Sequence, residues 1–343
     1  MHNRIRVFAL MIGLCTTILS GCAPSSGPGM GETEEKVREA ESYVDAVKQV
    51  NAEEFYPSDF DMASQEFSRA KDYLRSGKVS DAYSAAGKSL LASNRILKQI
   101  FIDEVANLAR DLKNDIEVTK QENPDTLVQD FLPQLDNILT YADTILENPD
   151  MEVSLIAITD FTQQVAEIDT AINTMSEEIL KSDLAFAPGE YVLSDDGQRA
   201  LQQFVDEILT KKDQKFQHAS SKAISIKVEV LGFTDQMGFR RGTTLRTKLL
   251  EGIEQLVPKD AIGERRLLNR RLAEFRAASV SDYIMRLLEE SAREDLRVEL
   301  KPPVVVGRGE EIPSGMTITY SLTDSVSDPQ RRMCKISSYV IAK

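Results

Sequence analysis

The pattern of hydrophobic and polar positions divides the chain into a helical part and a part where strands alternate with helices. Up to about residue 184, apolar residues recur at helical spacing. This spacing predicts helices over residues 34–50, 59–76, 79–122, 126–147 and 152–181. Asn-Pro-Asp turns at Asn123 and Asn148 separate the last three, because a residue before proline is pushed out of the helical region.

The pattern changes from about residue 185 onward. Ile224, Ile226, Val228 and Val230 alternate with polar residues, which predicts a half-buried strand over 224–231. Further strands are predicted over 191–193, 296–306, 316–322 and 333–341, and helices from Ser194 and over 266–292. Strands that alternate with helices indicate a mixed sheet with helices on one face. The whole chain is therefore predicted to be α+β, with an N-terminal α-helical region.

Within the two helices of this second part, apolar spacing predicts which faces are buried. We expect Ser194 to cap the first helix, because serine side chains accept hydrogen bonds from free amide groups there. The residues predicted to face the core are Leu201, Phe204, Val205 and Ile208 in the first helix and Leu272, Val280, Ile284 and Leu287 in the second.

The first 21 residues have the form of a secretory signal peptide. Arg4 and Arg6 precede a short apolar run, which is too short to span a bilayer comfortably. Leu19-Ser20-Gly21-Cys22 resembles a bacterial lipobox, and this resemblance implies lipidation of Cys22. The residues after it, to Gly31, are rich in Pro, Gly and Ser and predict a flexible tether. By the resemblance, we expect a lipoprotein anchored in the outer membrane; an ordinary signal peptide is the alternative.

Charge is distributed unevenly between the two parts. Residues 23–185 carry 14 Lys and Arg against 32 Asp and Glu, whereas residues 186–343 carry 25 against 23. An acidic helical region argues against nucleic acid as a partner. Arg240-Arg241, Arg265-Arg266 and Arg270-Arg271 cluster in the near-neutral part, which would not repel an acidic polymer.

Two short stretches carry the candidate binding chemistry. Asp235 follows the strand at 224–231, and Arg276 lies in the helix at 266–292. A carboxylate accepts hydrogen bonds from an ammonium group, and a guanidinium group binds a carboxylate through two parallel bonds. Together they suit a small zwitterion. The alternative is that Asp235 and Arg276 pair with each other and only join strand to helix.

These stretches resemble the peptidoglycan-binding motif of the OmpA-like C-terminal domain family. The matching residues are Thr234, Asp235, Gly238, Asn269, Leu272, Arg276, Ala277 and Val280, with Ala273 where the family usually has serine. Gly307-Arg-Gly-Glu310 and Arg331-Arg332 resemble two later family motifs. The resemblance implies a βαβαβ sandwich over residues 185–343 and similarity to peptidoglycan-associated lipoproteins.

The ligand implied by the resemblance is the diaminopimelate of the peptidoglycan stem peptide. Asp235 would bind its ammonium group and Arg276 its carboxylate, while Thr234 and Asn269 would add hydrogen bonds. The protein would then tether the outer membrane to the cell wall without a covalent bond. The alternative is a periplasmic scaffold, in which the helical region and an inserted helix recruit other envelope proteins.

The chain departs from the family pattern beside the predicted site. Asn269 follows Asp235 by 34 residues rather than the family's eight, so 26 extra residues lie between them. Apolar residues at helical spacing within Thr243–Val257 predict an extra helix in an insertion over about 239–265. This helix would cover the site, serve another partner, or only pack against the domain.

Little in the sequence points to an enzyme. Cys15 and Cys22 lie in the predicted signal and lipidation site, which leaves Cys334, in a predicted strand, and one histidine, His218. Zinc sites and Ser-His-Asp triads therefore have few candidate residues, and no Gly-rich phosphate loop is present. We expect no catalytic activity, no metal and no cofactor, and we expect Cys334 to behave as a small buried hydrophobic residue.

Overall fold

The computed structural model describes residues 28–187, 190–216, 223–292, 295, 297–314 and 328–342. The predicted signal peptide, Cys22, His218 and the predicted strand at 316–322 lie outside these residues. The chain forms two compact units. One holds the described residues up to Lys113 together with Pro133–Ala166, and the other holds Asn114–Leu132 with the described residues from Glu167 onward. The predicted boundary between independent domains at 184/185 stays a prediction.

The first unit is helical, as predicted. Its opening helices are α1 (Met30–Gln49), α2 (Ala52–Phe55), α3 (Pro57–Arg75) and α4 (Val79–Ile100). Helix α4 continues through a π-helical turn at Phe101–Ala106 into α5 (Asn107–Glu122), so the predicted helix over 79–122 is one run. Small residues let α3 and α4 approach closely, because Ala63, Ala70 and Ala86 are all fully buried between neighbouring helices.

The remaining helical predictions need two corrections. The predicted helix over 126–147 begins as a 3₁₀ helix at Leu127–Phe131 and continues as α6 (Leu132–Glu147). The helix predicted over 152–181 is α7 (Leu155–Thr174) and stops seven residues early. The Thr174 hydroxyl donates to the Val340 carbonyl at 2.8 Å and accepts from the Val340 amide at 2.9 Å. Ser176–Lys181 then forms a strand, β1, because it pairs with the last strand of the chain.

The second unit is built on a mixed five-stranded sheet. After β1 come the short helix α8 (Ser182–Ala185) and α9 (Asp195–Phe216). The other strands are β2 (Ile224–Phe233), β3 (Val298–Leu300), β4 (Val304–Gly309) and β5 (Met333–Ala342). Strand β5 lies between β1 and β2 and is antiparallel to both, while β3 and β4 both pair in parallel with β2. This is the predicted α+β architecture.

Two strand predictions were wrong in detail. Residues 191–193 form no strand; Leu193 makes only an isolated bridge to Phe186, and the first strand is β1. The strand predicted over 296–306 is two strands, because Pro302 and Pro303 separate β3 from β4 and proline cannot donate to a ladder. Strand β2 itself continues to Phe233, two residues beyond its predicted end.

Helices α9 and α11 (Ala261–Ala292) form the core with one face of the sheet. Ser194 caps α9 as predicted, since its hydroxyl accepts from the Gly197 amide at 3.1 Å. Leu288 rather than Leu287 completes the buried stripe of α11. The core residues predicted for α9 are all buried: Leu201, Phe204, Val205 and Ile208. Cys334 is a fully buried free thiol in the same core.

The other face of the sheet is partly covered by the 3₁₀ segment Leu127–Phe131. The Phe131 ring lies 5.3 Å from the Tyr339 ring, and Asp130 forms a 3.1 Å ion pair with Lys227. Polar residues at alternate positions of β2 therefore meet a charged segment rather than open solvent. The sequence predicted helices on one face but not this cover on the other.

Candidate ligand-binding site

Three glycines let helix α11 lie directly on the strand ends that carry the candidate residues. A Cβ atom on Gly232 would come within 2.1 Å of the Ala273 carbonyl oxygen of α11. On Gly307 it would come within 2.5 Å of the Arg270 carbonyl oxygen, and Gly309 has a positive φ of 60°. Only glycine permits this approach. Gly238, the glycine of the Thr-Asp motif, has open space around it, so close packing does not explain it.

Asp235 lies in the loop directly after β2 and is buried, with 4% of its surface exposed. The Thr234 amide donates to the Gly309 carbonyl at 2.7 Å, which ties this loop to the end of β4. One Asp235 oxygen accepts from the Met237 amide at 3.2 Å. The other accepts from Nε of Arg332 at 2.8 Å, so the ion-pair partner of Asp235 is Arg332 and not Arg276.

Arg276 is buried without a carboxylate partner among the described residues. Only 7% of its surface is exposed, its Nε donates to the Glu190 carbonyl at 3.2 Å, and its guanidinium lies 5.2 Å from the centre of the Phe186 ring. Burial lowers the pKa of Arg276, and the charge of Arg332 lowers it further, while the charges of Cys334, Asp183 and Asp235 act in the opposite direction. An arginine nevertheless stays protonated at neutral pH. The alternative in which Asp235 and Arg276 pair with each other is therefore not what the structure shows.

Asn269 is buried and holds two loops together. Its amide nitrogen donates to the Met237 carbonyl at 3.1 Å and to a Glu310 carboxylate oxygen at 2.8 Å. Arg265 binds the same carboxylate through two hydrogen bonds of 2.8 and 3.0 Å, and Arg331 donates to the Glu310 carbonyl. The amide of Asn269 thus positions the loop that carries Asp235. Its predicted hydrogen bond to a ligand stays a prediction.

Thr234 contributes a hydroxyl group with no partner. The residue is 2% exposed, and its Oγ1 makes no hydrogen bond to any of the residues that the structure describes. A buried polar atom left unpaired costs about 1–3 kcal/mol. Such a group is available to a ligand, and the hydrogen bond predicted for Thr234 stays a prediction.

Several contributors were not assigned a role from sequence. Arg332 and Glu310 lie in motifs that the resemblance named, but their contacts with Asp235 and Asn269 required the fold to be seen. Phe186 and the Glu190 carbonyl meet Arg276 from a segment 86 or more residues away, where no periodic pattern marks them. No local sequence signal identifies such long-range backbone contacts.

The insertion packs against α11 on a small core of its own. It forms the helix α10 (Thr244–Leu250), shorter than the apolar spacing predicted, and a 3₁₀ turn at Glu254–Leu256. Leu249 is fully buried against Leu268 and Leu272, and Arg246 forms an ion pair with Glu264. Of the three predicted roles for the inserted helix, packing is the one that the described contacts demonstrate.

Cys334 lies beneath the site but has no reactive character. Burial raises the pKa of its thiol to about 12, and only the neighbouring Arg276 acts in the opposite direction. Among the described residues no group of three or more His, Cys, Asp or Glu side chains is arranged to hold a metal ion. Within those same residues, every helix is too short or too polar to cross a bilayer.

Comparison with known proteins finds only distant likeness. No protein-family model matches the chain, and none of the curated proteins matches it. Among solved structures, a MotB-like protein from Desulfovibrio vulgaris is similar with 17% sequence identity and a TM-score of 0.26; the similarity covers 48% of this chain and 76% of that one. A likeness this weak indicates no function for the site.

Proposed function

We propose that this protein binds peptidoglycan non-covalently, through the free amino-acid head of diaminopimelate in the stem peptide. Asp235 binds the ammonium group, Arg276 binds the carboxylate, and the Thr234 hydroxyl adds a hydrogen bond. The proposal starts from the resemblance to OmpA-like domains carried by Thr234, Asp235, Asn269 and Arg276. The buried site supports it with groups that suit a zwitterion.

The observation that carries the proposal is the state of Arg276. A guanidinium group that is 93% shielded from solvent and has no carboxylate partner among the described residues is costly to the folded protein. A ligand carboxylate would offset that cost through a bidentate, charge-assisted pair. Arg332 and Arg265, by contrast, each form an ion pair with a carboxylate of the fold.

Asp235 retains the capacity to accept an ammonium group. A carboxylate has about four lone-pair positions, and Met237 and Arg332 use two of them. The ligand's ammonium would bind at the remaining positions beside Arg332.

A single site of this kind gives modest affinity. Hydrogen bonds to charged groups contribute about 1.5–3 kcal/mol each, while association costs at least about 4 kcal/mol. We further propose that lipid on Cys22 anchors the chain to the outer membrane. The anchor would hold the binding site close to the cell wall, in which the diaminopimelate ligand is repeated many times. The effective concentration of ligand at the site is then high, so modest affinity suffices for a tether.

The test is a pull-down with purified peptidoglycan sacculi, using the chain from residue 23 to 343. We expect the unmodified chain to sediment with the sacculi, and Asp235→Ala and Arg276→Ala to stay in solution. Asp282→Ala and Arg286→Ala are matched controls, because both residues are exposed on α11, the helix of Arg276, and should sediment normally. We call Asp235 and Arg276 together the clamp. If all variants sediment equally, these two residues do not bind the diaminopimelate head.

A second function is suggested by one surface of the helical unit. Phe55 is 60% exposed beside a cleft of about 400 Å³ that Lys48, Asn51, Glu53, Glu54 and Phe60 line. An exposed aromatic residue next to a cleft suits a protein partner. In this alternative the chain is an envelope scaffold, and Phe55→Ser or charge reversal on the acidic helices would remove co-purifying proteins while sacculus binding persists.

A further inference from the structure

The insertion and the first half of α11 carry four exposed arginines with no close carboxylate partner among the described residues. Arg240, Arg241 and Arg270 are exposed, and none of them lies within 4 Å of a carboxylate among the described residues. Arg266 is 71% exposed and reaches Glu310 only at 4.0 Å, the limit of an ion pair. We call these four residues the basic rim. Neighbouring arginines differ: Arg246 and Arg265 are half-buried, and each has a carboxylate partner.

The turn that carries Arg240 and Arg241 has a defined conformation. The Thr243 hydroxyl donates to the Arg240 carbonyl at 3.0 Å and accepts from the Arg246 amide at 3.3 Å, so Thr243 closes the turn and caps α10. Gly242 provides the positive φ of 80° that the turn requires. Buried Leu249 fixes the following helix to α11. The backbone of the two arginines is therefore held in a fixed turn.

The basic rim borders the candidate ligand site. Arg240 and Arg241 follow Asp235 by five and six residues on the same loop, which Asn269 holds through the Met237 carbonyl. Arg270 is adjacent to Asn269 on α11, and Arg266 lies one helical turn before Arg270. Like charges grouped in this way repel one another, so the arrangement is favourable chiefly when an anion is present.

We propose that the basic rim is a second binding surface, which contacts carboxylates of the wall polymer next to the diaminopimelate head. This inference rests on the proposed function. A stem peptide held by its head at Asp235 and Arg276 places its remaining carboxylates, and those of adjacent stems, within a few residues of the head. An anionic polymer is the partner with complementary charge, and the rim stands where that polymer would lie.

The proposal predicts how wall binding depends on salt. Exposed ion pairs contribute about two- to fivefold each in affinity and are screened by added salt. We expect Arg240→Gln/Arg241→Gln to bind sacculi about tenfold more weakly than the unmodified chain in 20 mM salt, with the difference vanishing near 500 mM. The control is Lys215→Gln/Arg286→Gln, which removes the same charge from exposed positions of the same unit and should match the unmodified chain.

A soluble muropeptide with a single stem separates this surface from the clamp. Arg240→Gln/Arg241→Gln should bind that muropeptide like the unmodified chain, because the clamp is intact, whereas Arg276→Ala should not bind it. If the rim variant and the control bind sacculi equally at every salt concentration, the inference is wrong. If the unmodified chain fails to bind the muropeptide but still shows rim-dependent, salt-sensitive binding to sacculi, the clamp fails and the surface stands.

Two other occupants of the rim give distinct results. In the first case, the unmodified chain binds vesicles with 30% phosphatidylglycerol and the rim variant does not. If the rim variant still binds sacculi normally, this result would assign the surface to a membrane. In the second case, the unmodified chain self-associates in a salt-sensitive way and the rim variant does not. If sacculus binding is again unchanged, this result would assign the basic rim to the acidic helical unit of a second copy. Either result would overturn the inference.

Discussion

At the scale of single residues, the site is marked by polar groups that the fold buries and leaves incompletely satisfied. Arg276 lacks a carboxylate partner and the Thr234 hydroxyl lacks any partner among the described residues. Asp235 and Asn269, by contrast, form hydrogen bonds with Arg332, Met237 and Glu310. Arg276 and Thr234 are thus open to a ligand, Asp235 is positioned by the fold but keeps acceptor positions for a ligand, and Asn269 is held by the fold.

Arg276 should reduce the stability of the free protein while enabling binding. Replacing it with methionine removes a buried charge but keeps a long apolar side chain that fits beside Phe186. We expect Arg276→Met to raise the free energy of unfolding by about 1 kcal/mol and to abolish binding to sacculi. Urea denaturation measures the first effect. A loss of more than about 2 kcal/mol would mean that the arginine is structural.

The carboxyl group of Glu229 should make the stability of the folded protein depend on pH. Burial raises the pKa of this carboxyl, as does the charge of Asp130, while Lys227 and Arg308 lower it. A raised pKa means that the folded state favours the protonated form. The resulting stabilisation is complete below the unfolded pKa of about 4.3 and is lost as pH rises through the folded pKa.

Glu229→Gln should remove this dependence. Its free energy of unfolding should exceed that of the unmodified protein at pH 7, and the two should converge below about pH 4. Urea denaturation across this pH range measures the effect, with the exposed Glu274→Gln as control. Parallel curves for Glu229→Gln and the unmodified protein would show that Glu229 carries no such linkage.

At the scale of elements, periodicity predicted most of the secondary structure and failed where long-range pairing decides. The alternation over 224–231 and the buried stripe of α11 both follow from local spacing. Local spacing does not determine the structure of residues 176–181. They form a strand because β5 pairs with them, although the apolar spacing before them predicts that the helix continues. The cover of Leu127–Phe131 on the second sheet face likewise depends on contacts with residues far along the chain.

Close packing of α11 on β2 should depend on Gly232. An alanine there would place its Cβ about 2.1 Å from the Ala273 carbonyl oxygen, which forces the helix away from the strand. We expect Gly232→Ala to destabilise the second unit by about 3 kcal/mol and to weaken sacculus binding, since Asp235 and Arg276 move apart. Gly238→Ala is the matched control and should be nearly neutral, because open space surrounds that position. A neutral Gly232→Ala would contradict the described contact.

The inserted helix should be held mainly by Leu249. Truncating this fully buried side chain removes the centre of its contact with α11, so Leu249→Ala should destabilise by about 2–4 kcal/mol. Leu256 is 72% exposed, and Leu256→Ala should change stability by less than about 0.5 kcal/mol. Hydrogen exchange of the α10 amides distinguishes local opening from global unfolding. Equal protection in both variants would mean that α10 is held elsewhere.

At the scale of the whole molecule, the chain combines an acidic helical unit with an α+β unit that carries the candidate site. The α+β architecture, and the identity of the residues that meet near the β2 end, followed from patterns and motifs in the sequence. The partner of Asp235 did not, because the sequence suggested only Arg276 as a partner and the fold places Arg332 there instead. The basic rim was predicted only in part. The sequence showed the arginine pairs, but only the structure shows which of these arginines form ion pairs.

Recognition of the free diaminopimelate carboxylate by Arg276 can be tested by changing the ligand instead of the protein. Calorimetry would compare one muropeptide with the same muropeptide whose diaminopimelate carboxylate is amidated. We expect the unmodified protein to bind the free form about 10- to 100-fold more tightly, since a charge-assisted pair contributes about 1.5–3 kcal/mol, and Arg276→Met to bind neither measurably. Equal affinity of the unmodified protein for both muropeptides would contradict the account.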